Sequence, residues 1–184
     1  MIIQKYKLDY DINKLNKEIK ELWPAAGFVK QEGRNWVTPN GTWHQNIPEG
    51  TMPLHIKEAI EKSVGQPIKD YYFLWDWRAI THFLIKHTDA RVSSTKTTRE
   101  NNLGNASTKE NDFGNVPMDV FVVSLENGFT LDIWDNEDNS ILKESVSYGP
   151  GEIIGFNNQE YYHSGAVHDT SIPRRTLNCF AEAT

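Results

Sequence analysis

His87 and Asp89, in the stretch HTDARV, close the apolar run ITHFLIK and precede a long polar segment. On a β-strand alternate side chains share a face, so the two would project together from one edge, as paired ligands of a metal ion do. A His-x-Asp pair arises by chance about one time in three in a chain this rich in aspartate. Taken alone, it is as well explained as a surface pair at a strand end. Further along, FNNQEYYHSGAVHDTSIPRRTLNCF adds His163 after another apolar strand, with Arg174 and Arg175 eleven and twelve residues beyond it. Two imidazoles and one carboxylate on one face of a ferrous ion leave three positions open for a cosubstrate and dioxygen.

Periodicity shows which elements must position these groups. INKLNKEIKELW, residues 12–23, spaces Ile12, Leu15, Ile19, Leu22 and Trp23 as an amphipathic helix does. A second helix is expected at about 53–63, capped by Thr51 and opened by Pro53. Between them Asn40-Gly41 signals a hairpin turn. From Pro67 onward the helical period is lost. The run DYYFLWDWRAITHFLIKH suits two strands in tandem or one bent strand. If it is continuous, Trp77, Thr81 and Ile85 share parity with His87 and could border a cosubstrate. Residues 93–115 carry Leu103 and Phe113 as their only large apolar side chains, so they read as a long loop. MDVFVVSLENGFTLDIW then reads as a hairpin about Asn127-Gly128. Gly149-Pro150-Gly151 turns the chain into a short apolar strand, and RRTLNCFAEA supplies a last one. The fold class expected is α+β, mainly β, with helices packed on a strand-rich sandwich or barrel.

A chain of 184 residues suits one domain. We expect residues 1–66 to buttress a barrel core at 67–182. The net charge of −6, from 19 Lys+Arg against 25 Asp+Glu, opposes phosphate backbones, and no basic cluster offsets it. Nucleic acid is therefore not an expected partner. Neither a signal peptide nor a membrane-length apolar run is visible, so the expectation is a soluble, cytoplasmic protein. The single cysteine, Cys179, excludes an internal disulfide and a thiolate metal cluster. Any metal would be held by histidine and carboxylate.

In order and spacing, His87-x-Asp89, His163 and the following arginine pair resemble the iron(II)- and 2-oxoglutarate-dependent oxygenases. GPGEIIGFNNQEYYHS is likewise similar to that family's lead into its second histidine. The resemblance covers roughly residues 70–182. It implies a double-stranded β-helix, a jelly-roll barrel of cupin-like form, with the N-terminal helices on one sheet. It also implies Fe(II) on His87, Asp89 and His163. 2-Oxoglutarate would chelate that iron, with its far carboxylate on Arg174 or Arg175. The implied reaction consumes dioxygen, releases succinate and carbon dioxide, and hydroxylates a C–H bond of a small-molecule or peptidyl substrate. Asp89 fills a position that halogenating relatives leave to a small residue, which makes hydroxylation the default over halogenation, with desaturation and demethylation left open.

Strand parity argues for one arginine over the other. One face of RRTLNCF carries Arg174, Thr176, Asn178 and Phe180, and the other carries Arg175, Leu177 and Cys179. A carboxylate seat needs a guanidinium fork with a hydroxyl beside it, whereas a helix-packing face needs apolar groups. Arg174 with Thr176 fits the seat, and Arg175 is the alternative.

Blander readings stand beside these. His168 rivals His163 but would fall on the opposite strand face, as a loop pair with Asp169 near the barrel mouth. His44, His55 and His82 have no ligand-like partner and read as structural. The 93–115 loop is either a lid over the site or a disordered insertion. The protein could also be a catalytically inert cupin-like module holding zinc or nickel, or an interaction domain. The prime substrate and the oligomeric state are not written in the sequence.

Overall fold

The structure is a computed structural model that describes residues 1–22, 36–37, 42–47, 50–76, 84–87, 118–135, 137–138, 140–157, 160–172 and 174–182, with 36–37, 42–46, 70–76, 84–87, 118 and 182 described by their backbone. Periodicity builds its helices nearly where it predicts them. In α1 (Ile12–Leu22) Leu15 and Ile19 are buried, and the backbone N–H of Lys14 donates to Asp11 Oδ1 at 2.7 Å, an N-terminal side-chain cap. In α2 (Leu54–Val64) Ile56, Ile60 and Val64 are buried. Pro53 rather than Thr51 occupies the N-cap position of α2. At its other end Gly65 adopts φ 77° and donates its N–H to Glu61 O at 2.8 Å. This left-handed cap is one that glycine adopts without steric cost.

The strands form two antiparallel sheets. The larger has the order β1 (Gln4–Lys7), β9 (Glu152–Phe156), β6 (Met118–Glu126), β11 (Arg174–Glu182), β4 (Asp70–Asp76), β3 (Thr42–Asn46), β2 (Trp36–Val37). The smaller has the order β5 (Leu84–His87), β10 (Tyr162–Val167), β7 (Phe129–Trp134), β8 (Leu142–Tyr148). From β4 to β11 the chain passes repeatedly between the two sheets, winding as a double-stranded β-helix. Among the described residues the sheets face each other without closing into a continuous barrel.

The run from Asp70 to His87 is thus two strands, in different sheets. Ile85 shares β5 with His87, whereas Trp77 and Thr81 lie outside the described residues, and the parity argument, which needed one continuous strand, does not extend to them. The Asn127-Gly128 turn is a second correction: it is not a hairpin, because β6 and β7 belong to opposite sheets and do not pair. Asn127 has φ 69°, but Gly128 is not among the residues of positive φ, whereas a two-residue type I′ hairpin needs both. The turn is a corner instead. Asn127 Nδ2 donates to Asp169 O at 2.8 Å and Ile172 O at 3.0 Å, and Asp169 N–H donates back to Asn127 Oδ1 at 3.1 Å. β7 pairs with β8, and β1 joins the large sheet beside β9. Neither β1 nor β8 shows in the hydropathy pattern.

Two cores result. One lies between the helices and the large sheet, joining Leu15, Ile19, Ile56 and Ile60 to Phe121, Val123, Ile153, Leu177 and Cys179. The other lies between the sheets and includes Val120, Phe129, Leu131, Ile133, Tyr148, Ile154, Phe156, Val167 and Phe180. Each of β6, β9 and β11 therefore buries both faces, one in each core.

Candidate active site

Along β10, His163, Gly165 and Val167 are buried, while Tyr162, Ser164 and Ala166 are half-buried. The alternation turns His163 toward the space between the sheets, where its ring meets that of Phe156 edge-on at 5.2 Å. Its Nδ1 lies 3.1 Å from the carbonyl oxygen of Tyr161. A carbonyl only accepts, so Nδ1 carries a proton, and in the neutral ring the lone pair is on Nε2. That is the tautomer, fixed by an outer partner, that a metal-binding imidazole uses.

In the antiparallel ladder His163 is the register partner of Ile133 on β7 and of His87 on β5. Partners of this kind stand about 4.5–5.5 Å apart at Cα. The backbone thus brings residues 87 and 163, remote in sequence, to neighbouring positions on one sheet. A register shift follows between His163 and Gly165. Asp89, Trp77 and the 93–115 loop lie outside the described residues. Among the described residues, no three histidine, cysteine, aspartate or glutamate side chains gather as a metal site would require.

The two arginines part company as strand parity predicts. Arg174 enters the inter-sheet core, 7% exposed, with its guanidinium carbon 4.2 Å from the centre of the Phe129 ring. Tyr148 is also close by; its phenol is pushed up by burial and drawn partly back by the Arg174 guanidinium. Arg175 faces the helices, and its Nη1 donates to Glu126 Oε2 at 3.0 Å. Leu177, Cys179 and Ala181 join the helix-side core, and Phe180 joins the inter-sheet core. Thr176 and Asn178, on Arg174's face, are both buried, and the Thr176 hydroxyl donates to Asn178 Oδ1 at 2.7 Å. That hydroxyl would have to turn to meet a carboxylate on Arg174.

Phe129 and Tyr148 are the residues that sequence reasoning missed. They are register partners across β7 and β8, with ring centres 6.1 Å apart, and both lie close to Arg174. Only knowledge of the β7–β8 pairing could have found them. His168 does not lie beside His163 but just past the other end of β10. There its N–H donates to Gly128 O at 2.9 Å and its Nε2 lies 3.0 Å from Thr130 Oγ1. His55 is exposed and bridges the helices to Glu18 Oε2 at 2.6 Å, in keeping with a structural role.

No protein-family model and no curated protein matches the sequence. Solved structures do match. A Pseudomonas putida prolyl-4-hydroxylase superposes with a TM-score of 0.53 at 14% identity, over 99% of this chain and 93% of its own. The non-heme alpha-ketoglutarate-dependent epimerase SnoN, from nogalamycin biosynthesis, gives 0.58 at 12% identity over 100% of this chain and 79% of that one. OsALKBH1 gives 0.57 at 10% identity, covering 98% of each chain. The fold of this chain is therefore the double-stranded β-helix found in iron(II)- and 2-oxoglutarate-dependent oxygenases. SnoN is also known in complex with Fe3+, alpha-ketoglutarate (2-oxoglutarate) and nogalamycin RO. Among the described residues no helix is long and apolar enough to cross a membrane.

Proposed function

We propose that this protein is a non-haem Fe(II)- and 2-oxoglutarate-dependent dioxygenase that hydroxylates a C–H bond of a small molecule or a peptidyl side chain. The observation that carries the reading is the ladder register that sets His163 opposite His87, in a fold of this kind. The residues present fit the metal: His163 is held by Tyr161 O in the tautomer that offers Nε2. In this reading His87, Asp89 and His163 hold the iron, and Arg174 receives the far carboxylate of 2-oxoglutarate. Iron bound there supplies the redox chemistry that divides dioxygen, one oxygen atom going to succinate and the other to the new hydroxyl, as carbon dioxide leaves.

The chain's own part is orientation and exclusion of water. The Phe129 face holds the Arg174 guanidinium in a buried setting, where a charge-assisted bond to a carboxylate is stronger than in solvent. Phe156 and Tyr161 hold the ring of His163 from its side and from Nδ1.

Two measurements test the proposal. Anaerobic addition of Fe(II) and 2-oxoglutarate should give a weak visible charge-transfer band that His163→Ala and His87→Ala abolish along with bound iron. Succinate formation across a panel of amino acids, peptides and small metabolites should then be stimulated by the true substrate class. Folded protein that binds iron but shows neither band nor succinate would be an inert metal-binding module. Iron content unchanged in both alanine variants would remove the site altogether.

A further inference from the structure

The face of the large sheet turned away from His163 carries a second polar cleft. It lies between α1 and the ends of β6 and β11, has a volume of about 540 Å³, and is lined by Asn16, Lys17, Lys20, Glu126 and Arg175, among others. Two of its atoms are buried without a hydrogen-bond partner: Arg175 Nη2, a donor, and Asn16 Oδ1, an acceptor. Neither is relieved by a simple rearrangement. Arg175 is 5% exposed and already bonds Glu126 through Nη1. Asn16 Nδ2 donates to Leu125 O at 2.9 Å, so flipping the amide would forfeit that bond. Buried polar groups in folded proteins are almost always satisfied, so two exceptions lining one cleft call for an explanation, and a bound ion or water is one that serves both.

The chemistry of that occupant follows from the pair. Arg175 Nη2 calls for an acceptor with negative charge, and Asn16 Oδ1 calls for a donor. The described lining carries three cations, Lys17, Lys20 and Arg175, against two anions, Glu21 and Glu126, a local balance of +1 in a chain of net charge −6. We propose that this cleft binds a small oxyanion that keeps a proton of its own, of the hydrogen-phosphate class. With a small turn of the Arg175 and Asn16 side chains, whose Nη2 and Oδ1 are covered in the structure as it stands, an anionic oxygen would accept from Arg175. The P–OH would donate to Asn16 Oδ1, and the ammonium groups of Lys17 and Lys20 would balance the remaining charge at the rim. The site is independent of the proposed oxygenase centre, since Arg174 and Arg175 face opposite sides of β11.

Calorimetric titration of the full chain with inorganic phosphate, and with sulfate at matched pH and ionic strength, tests the assignment. Sulfate has the same charge and shape but no proton to give. Phosphate should bind saturably and raise the thermal midpoint, with sulfate weaker by roughly tenfold, the worth of one charge-assisted hydrogen bond. The double variant Lys17→Gln/Lys20→Gln, exposed and safe for folding, should weaken phosphate roughly three- to tenfold. Arg175→Lys keeps the positive charge but loses the second fork donor and should weaken phosphate further, while Arg174→Lys should bind it as the wild type does. Should Arg175→Lys fail to fold, the lysine pair and the sulfate comparison still decide. Equal affinity for the two anions, no binding of either, or loss of binding in Arg174→Lys instead would each overturn the proposal. The second of these would leave water as the occupant that bridges Arg175 and Asn16.

Discussion

Replacing Gly165 by alanine should damage the protein more than the addition of one methyl group suggests. Gly165 lies on the buried face of β10, two residues from His163, and a Cβ there would come within 2.3 Å of Thr130 O and within 2.4 and 2.6 Å of Cε1 and Cζ of Phe129. Carbon contacts are comfortable only near about 3.5–4.0 Å. The ring can move, but the carbonyl belongs to β7 and can retreat only if the two strands part. Overpacking costs about 1–3 kcal/mol, and a backbone obstacle puts Gly165→Ala near the top of that range, about 3 kcal/mol. The displaced ring is also the one beneath Arg174, whose contact with it is worth about 0.5–2 kcal/mol. Equilibrium denaturation of Gly165→Ala, Phe129→Leu and the double variant measures this directly. Leucine lacks the ε and ζ carbons, so the double variant should be more stable than the sum of the single losses predicts, by about 0.5–1 kcal/mol. It should not recover fully, because the Thr130 carbonyl remains. A single Gly165→Ala within about 0.5 kcal/mol of wild type, or strictly additive losses, would refute the reasoning.

Other substitutions probe other links. Gly155→Ala should cost less than Gly165→Ala, about 1 kcal/mol, because its Cβ would meet the Phe121 ring at 2.6 Å rather than a carbonyl; denaturant midpoints of the two variants give the order. Asn127→Ala removes three part-buried hydrogen bonds and leaves a non-glycine residue at positive φ, so a loss of about 2–3 kcal/mol is expected, with faster amide exchange at 168–172. Asp135 is held down to about 2 by Lys143 and by the backbone N–H groups of Asp138 and Glu137. A carboxyl lowered on folding stabilises the protein above its ordinary value of 3.8, and that contribution is lost as pH falls toward about 2. Asp135→Asn should therefore flatten the stability profile over that acid interval and leave its slope at neutral pH unchanged.

Strand parity made β11 legible. A period of two, with leucine and cysteine on one face, was enough to send Arg175 to the helices and Arg174 inward. The helices were legible for the same reason: their apolar residues recur at the helical period. The Asn127-Gly128 corner was not, because the dipeptide that favours a hairpin also suits a turn whose asparagine bonds a distant loop, and only the pairing of β6 with β11 and β9 distinguishes the two. β1 and β8 escaped notice because QKYK and LKESVSY are edge strands with little apolar alternation, and β1 is held by a partner far along the chain. A common role for residues 87 and 163 was an expectation from residue types and chain order, but their strand pairing was not foreseen, since register is a property of the assembled sheet.

The place of β11 has a consequence for how the molecule comes to exist. It is the last described strand in chain order, yet it sits between β6 and β4. A growing polypeptide leaving the ribosome would have two half-sheets with unpaired edges until residues 174–182 slot between them. Assembly governed by such distant contacts is slow, and the arginine on its inner face is fixed only at that closing step. If Arg174 seats 2-oxoglutarate as proposed, binding of that dicarboxylate during synthesis or refolding would then report completion of the sheet.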